Sequence, residues 1–128
     1  MRFMTLIKSA ENASFGAPPP ELFQAIARLG GEAARAGVLV DTAGLMPTAT
    51  GARIRLQGDQ ISTSDGPFGS NQEIVGAYAI FNVQSKQEAV DWATKFMELH
   101  RQHWKGWQGE TEVRQLMQAP QPGEGPQG

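Results

Sequence analysis

The chain contains no cysteine. That excludes disulfide bonds, thiol catalysis, iron–sulfur clusters and cysteine-ligated zinc. It also lacks any run of five or more like charges, and its net charge is only -2. A nucleic-acid surface needs clustered Lys and Arg to displace counterions, and Arg101, Lys105 and Arg114 are too sparse to make one. No apolar stretch approaches the ~20 residues needed to span a bilayer. The opening apolar segment, Met1 to Ile7, is interrupted by Lys8. It is too short for the core of a signal peptide and reads instead as a first strand. Phosphate-loop, nucleophile-elbow and dinucleotide signatures are missing as well. The expectation is a cytoplasmic protein with no cofactor, no metal, no nucleic acid and no membrane among its partners.

The 128 residues fit one domain, and 40% hydrophobic residues suffice for a modest core. Phe3 to Lys8 reads as a strand. Residues 9 to 20 hold three consecutive prolines and read as a loop, with Pro20 suited to the first helical position. Leu22, Ile26, Leu29 and Ala33 recur at helical spacing within Glu21 to Ala36, and Gly37 is a natural stop. Gly30-Gly31 is a defect in that pattern, costing about 1 kcal/mol per glycine against alanine. It implies a kink or a closely packed neighbouring backbone.

Val38-Leu39-Val40 starts a second strand that Pro47 ends. Ala52 to Leu56 and Gln60 to Thr63 flank Gly58-Asp59, a two-residue hairpin signal. Ile74 to Val83 is the strongest strand in the chain and is apolar on both faces, as for a central strand covered twice. Ser85 and Glu88 form a capping box that opens a helix running to about His100. Glu112 to Met117 is a last strand. Residues 119–128 carry three prolines and three glycines without a large apolar side chain, the composition of a disordered tail. The order β-α-β-hairpin-β-α-β predicts an α+β, ferredoxin-like domain over residues 1–118, with both helices on one sheet face and the other face free to pair with a second sheet.

Three groups of residues invite a chemical reading. Asp65-Gly66-Pro67 is strong turn chemistry in its own right. A carboxylate on so rigid a turn also suits a general acid or base once it is partly desolvated. His100 and His103 lie three apart near a helix end, with no clear third ligand, so dipole or capping roles outweigh metal binding. Trp92, Trp104, Trp107 and Phe96 fill either a core and dimer interface or a ligand pocket.

The stretch Thr63-Ser64-Asp65-Gly66-Pro67-Phe68, followed by Glu73 and an apolar strand with Gly76 and Tyr78, resembles the DGPF branch of the YCII-related family. Arg2 to Lys8, Ala36 to Val40 with Gly44-Leu45 and Pro47, and Glu112 to Gln115 resemble other strands of that family. The resemblance covers roughly residues 2–118. It implies a dimeric α+β barrel, two ferredoxin-like sheets face to face, with a cleft whose acidic residue is catalytic. On that basis Asp65 is the expected general acid or base of a small-molecule-binding or enzyme-like protein. Glu73 assists it, Gly66, Pro67 and Phe68 shape the site, and Arg2, Lys8 or Tyr78 orients a polar group of a small organic ligand.

Two departures support an alternative, a non-catalytic partner-binding or regulatory module. DGPF proteins commonly carry Lys where this chain has Gln72, and the YCII branch tends to carry a histidine in its first helix, where this chain has none. Some relatives in that branch accompany sigma factors, which makes a sigma factor the partner class for this alternative.

Overall fold

A computed structural model describes residues 1–11, 15–69 and 73–118. The predicted tail at 119–128 lies outside the described residues.

Strands β1 (Arg2–Ala10), β2 (Leu39–Gly44), β5 (Glu73–Asn82) and β6 (Glu110–Gln115) form one four-stranded sheet in the order β2-β5-β1-β6. All of its pairings are antiparallel. Helices α1 (Pro20–Arg35) and α2 (Lys86–His103) connect the halves. This is the ferredoxin-like arrangement. Between β2 and β5 the chain inserts a separate two-stranded hairpin, β3 (Ala52–Gln57) and β4 (Gln60–Asp65).

The register divides the sheet into two faces. Phe3, Thr5 and Ile7 of β1 stand opposite Phe81, Ala79 and Ala77 of β5. Phe3, Thr5, Ile7 and Phe81 are buried beneath the helices. Phe81 stacks on Trp92 of α2 at 6.1 Å between ring centroids, and Ala33, Val83 and Ala89 complete that core cluster. Leu22 of α1 is 1% exposed, a burial that stabilises by about 1.5–3 kcal/mol.

The opposite face carries Met4 and Leu6 of β1 against Ile80 and Tyr78 of β5. No element among the described residues covers it, and these residues are half-buried. The expectation that β5 is covered twice is therefore met on one face only within a single chain.

Both helices start and stop as their sequences require. Pro20 opens α1, where its missing N–H costs nothing. Gly37 at φ +74° closes it, with the Val38 N–H reaching the Ala33 carbonyl at 3.1 Å and the Gly37 N–H reaching Ala34 at 3.0 Å. Ser85 caps α2, accepting the Glu88 N–H at 3.2 Å. Glu88 reaches back one residue beyond the cap, to the Gln84 N–H at 2.9 Å.

The helix α1 continues through Gly30-Gly31. A Cβ at Gly30 would meet nothing within 4 Å. The glycine borders a cavity of about 80 Å³ between helices and sheet, so a close backbone neighbour does not explain it.

Candidate functional site

The Asp-Gly-Pro-Phe turn is tied down by residues far away in sequence. Just before the hairpin, Thr48–Thr50 forms one tight 3-10 turn. The Gly66 N–H bonds the Gly51 carbonyl at 2.9 Å across the hairpin base. A Cβ on Gly66 would lie 1.6 Å from the Thr48 carbonyl oxygen. Only glycine allows that approach. The Gly66-Pro67 bond is cis.

Thr48 is the hub of this knot. Its backbone N–H and its hydroxyl both donate to the Glu11 carboxylate. Its hydroxyl oxygen in turn accepts the Phe68 N–H at 3.0 Å. These donations from Thr48, with a weaker one from the Gly69 N–H, hold the Glu11 carboxyl below the usual glutamate range. The Arg53 guanidinium lies 4.1 Å above the Phe68 ring, a cation–π contact that fixes the ring to β3. Glu11 went unnoticed in the sequence because nothing about an acid in a loop announces a partner 37 residues away.

Asp65 is the last residue of β4, one step before the bend that the sequence suggested it would occupy. It is exposed, and its side chain makes no hydrogen bond or ion pair among the described residues. The expected bond to its own backbone is therefore not formed. Ala52 stands opposite it in the register. Alternation then puts Asp65 on the same hairpin face as Ile54, Leu56, Ile61 and Thr63. That face is bare: Ile54 is 74% exposed and Ile61 73%.

The remaining candidates sit elsewhere. Lys8 and Tyr78 share the uncovered sheet face. Lys8 Nζ donates to Glu112 at 2.8 Å and lies 3.6 Å from Glu110. The Tyr78 hydroxyl donates to Asp41 at 2.8 Å, and the bond to Asp41, with some burial, raises the phenol above its ordinary value. Glu73 opens β5 opposite Ala10, next to the Glu11 knot, whereas Arg2 lies at the far end of β1 opposite Asn82. Gly66, Pro67 and Phe68 thus stay with Asp65, while Lys8 and Tyr78 form a second group and Arg2 stands apart.

A different concavity lies on the helix side of the sheet. A cleft of about 500 Å³ runs between α1, α2 and the β2–β5 edge. Its wall at the end of α2 is aromatic. The His100 ring is 4.4 Å from Trp107 and 4.7 Å from Phe96, centroid to centroid, and Trp104 and Trp107 stack at 6.0 Å. Trp104 Nε1 donates to the Phe15 carbonyl at 3.1 Å. Trp107 lies so close to Gly109 that a Cβ there would meet its ring at 2.4 Å. His100 is 6% exposed, and burial pushes its imidazole below the ordinary histidine value. Among the described residues, no group of three His, Asp or Glu is placed to hold a metal.

No protein-family model matches this chain, and no curated protein is significantly similar to it. No helix among the described residues is long and apolar enough to cross a membrane.

Proposed function

We propose that this chain is a cytoplasmic homodimer of the dimeric α+β barrel type, related to the DGPF branch of YCII-like proteins. In this reading it binds a small organic ligand beside Asp65, which serves as general acid or base. The observation that carries the reading is the position of Asp65 at the foot of a bare apolar hairpin face, with Ile54 74%, Leu56 68% and Ile61 73% exposed. A two-stranded hairpin is marginal on its own, and aliphatic side chains in this number favour burial against a partner.

A second copy brings a surface of the right kind, the uncovered sheet face with Met4, Leu6 and Ile80. Covering the hairpin would take water from the Asp65 carboxylate, which in the isolated chain stands in solvent. Desolvation is what acid–base work by a carboxylate requires. Lys8 and Tyr78 lie on the same sheet face and, in this reading, exchange part of their bonding to Glu112 and Asp41 for a polar group of the ligand. Glu11 and Thr48 hold the turn rigid while this happens.

Sedimentation velocity combined with carboxyl footprinting tests the proposal. A carbodiimide-coupled amine labels exposed carboxylates, and mass spectrometry reads the yield at Asp65. The wild-type chain is expected to sediment as a dimer with Asp65 protected. An Ile54→Ser, Ile61→Ser variant is expected to be a folded monomer with Asp65 labelled. A wild-type chain that stays monomeric at high micromolar concentration would overturn the dimer. It would also turn attention to the hairpin as a landing surface for a different protein, the regulatory reading. A dimer whose Asp65 labels as freely as in the monomer would overturn the Asp65 site alone.

A further inference from the structure

The cleft at the end of α2 combines three properties that together select a ligand class. It is aromatic, its described lining is uncharged, and its buried histidine offers an acceptor. The aromatic part is the Trp104–Trp107 wall with Phe96 behind it. Both indole rings are fixed, one by the bond to the Phe15 carbonyl and the other by the close packing on Gly109. A planar ring entering such a cleft finds faces and edges already set at stacking and edge-on distances.

The charge balance is equally specific. The cleft is lined by Ile7 and Ser9 from β1, Leu22 and Ile26 from α1, Thr42 to Gly44 from β2 and Gly76-Ala77 from β5. Among the described residues, no Asp, Glu, Lys or Arg lines the cleft. A carboxylate or ammonium group entering there would lose water without meeting an opposite charge. An uncharged ligand carries no such penalty.

The acceptor is His100. Its Nδ1 lies 3.0 Å from the Phe96 carbonyl oxygen. A carbonyl only accepts, so Nδ1 carries the hydrogen and the neutral ring keeps its lone pair on Nε2. Nε2 has no partner among the described residues. It is not sealed from solvent, because no fully buried side-chain polar atom among the described residues lacks a partner. The Thr42 hydroxyl is already spent on the Tyr78 carbonyl at 2.8 Å.

We infer that this cleft is a binding site for an uncharged aromatic hydroxyl compound, a phenol, whose ring lies against Trp104 and Trp107 and whose O–H donates to His100 Nε2. The cleft volume, about 500 Å³, falls in the range of small-molecule sites. This site stands on the helix side of the sheet and needs neither the dimer nor Asp65, so its fate is independent of theirs.

Two probes test the inference: p-cresol, which has the O–H, and 4-methylanisole, in which a methyl group replaces that hydrogen. Each is titrated into the full chain while NMR follows the tryptophan indole signals and the His100 imidazole nitrogens. The expected result is p-cresol bound at least about fivefold more tightly, the worth of one hydrogen bond, with a shift at His100 Nε2 specific to it. Acidification should abolish that preference as Nε2 takes a proton and ceases to accept. His100→Phe should bind the two probes equally, and His100→Gln, whose amide oxygen accepts, should restore part of the difference. Equal affinities in the wild-type chain would overturn the inference, as would indole signals that do not respond. If His100→Phe fails to fold, the wild-type probe ratio and its pH dependence still decide.

Discussion

The sheet-and-helix body and the β3–β4 hairpin both present apolar strand faces, yet those faces end in opposite states. Ile7 of β1 is 7% exposed and Ile54 of β3 is 74% exposed. Both residues sit mid-strand in antiparallel pairing, Ile7 between Leu6 and Lys8 and Ile54 between Arg53 and Arg55. What differs is that α1 and α2 lie over Ile7, whereas no element among the described residues lies over Ile54. Alternation states that a strand has an apolar face. It does not state that the same chain covers it.

The body and the hairpin should therefore answer mutation differently. The largest effect belongs to the body. Leu22→Ala should cost about 4 kcal/mol, because a fully buried side chain is removed from packed surroundings; urea denaturation measures this. Next comes the joint between the two regions. Gly66→Ala drives a Cβ into the Thr48 backbone and should cost about 3 kcal/mol. Hydrogen exchange should show the loss concentrated in hairpin amides rather than in β1 and β5. Protection lost evenly across both regions would mean that the joint and the body unfold together.

A smaller effect sharpens the same boundary through pH. The folded-state Glu11 carboxyl titrates below its unfolded value, so its contribution is fully present above the ordinary glutamate value and disappears as pH falls through the lowered one. The Thr48 and Phe68 amide signals should move through that acid transition while the core signals of Phe3 and Phe81 stay put. Glu11→Gln should remove the transition. A modest gain is expected in the body: Gly30→Ala should stabilise α1 by about 1 kcal/mol, since the new methyl meets no atom within 4 Å. A loss there would show that a partner's backbone uses the gap. The smallest effect is in the hairpin itself. Ile61→Ser should change monomer stability by no more than about 0.5 kcal/mol, and any larger cost should grow with protein concentration.

Much of the body was legible from local rules. Pro20, Gly37 and Ser85 mark helix ends by chemistry that acts within a few residues, and the helix and strand limits fall within a residue or two of the signals except at the end of α2, which runs three residues past His100 to His103. The hairpin was legible from Gly58-Asp59, with Gly58 at φ +62°. The site was harder to read. The turn was visible in Asp65-Gly66-Pro67-Phe68, but its hub, Thr48, and its anchor, Glu11, meet only through the fold. His100 appeared as one of two histidines near a helix end. That its Nδ1 is spent and its Nε2 is not depends on a helical carbonyl and on two indole rings placed by the chain beyond α2. Such facts are three-dimensional and leave no spacing pattern behind.

The way the hairpin joins the body bears on how freely it can be altered. The last rung before the insertion pairs the Leu45 N–H with the Gly76 carbonyl at 2.9 Å, so the segment leaves and re-enters the sheet through neighbouring strands at nearly one point. A loop attached in that way can lengthen, shorten or be exchanged without the sheet registering the change. A change in the hairpin's length or sequence is thus the kind of change this frame absorbs most readily.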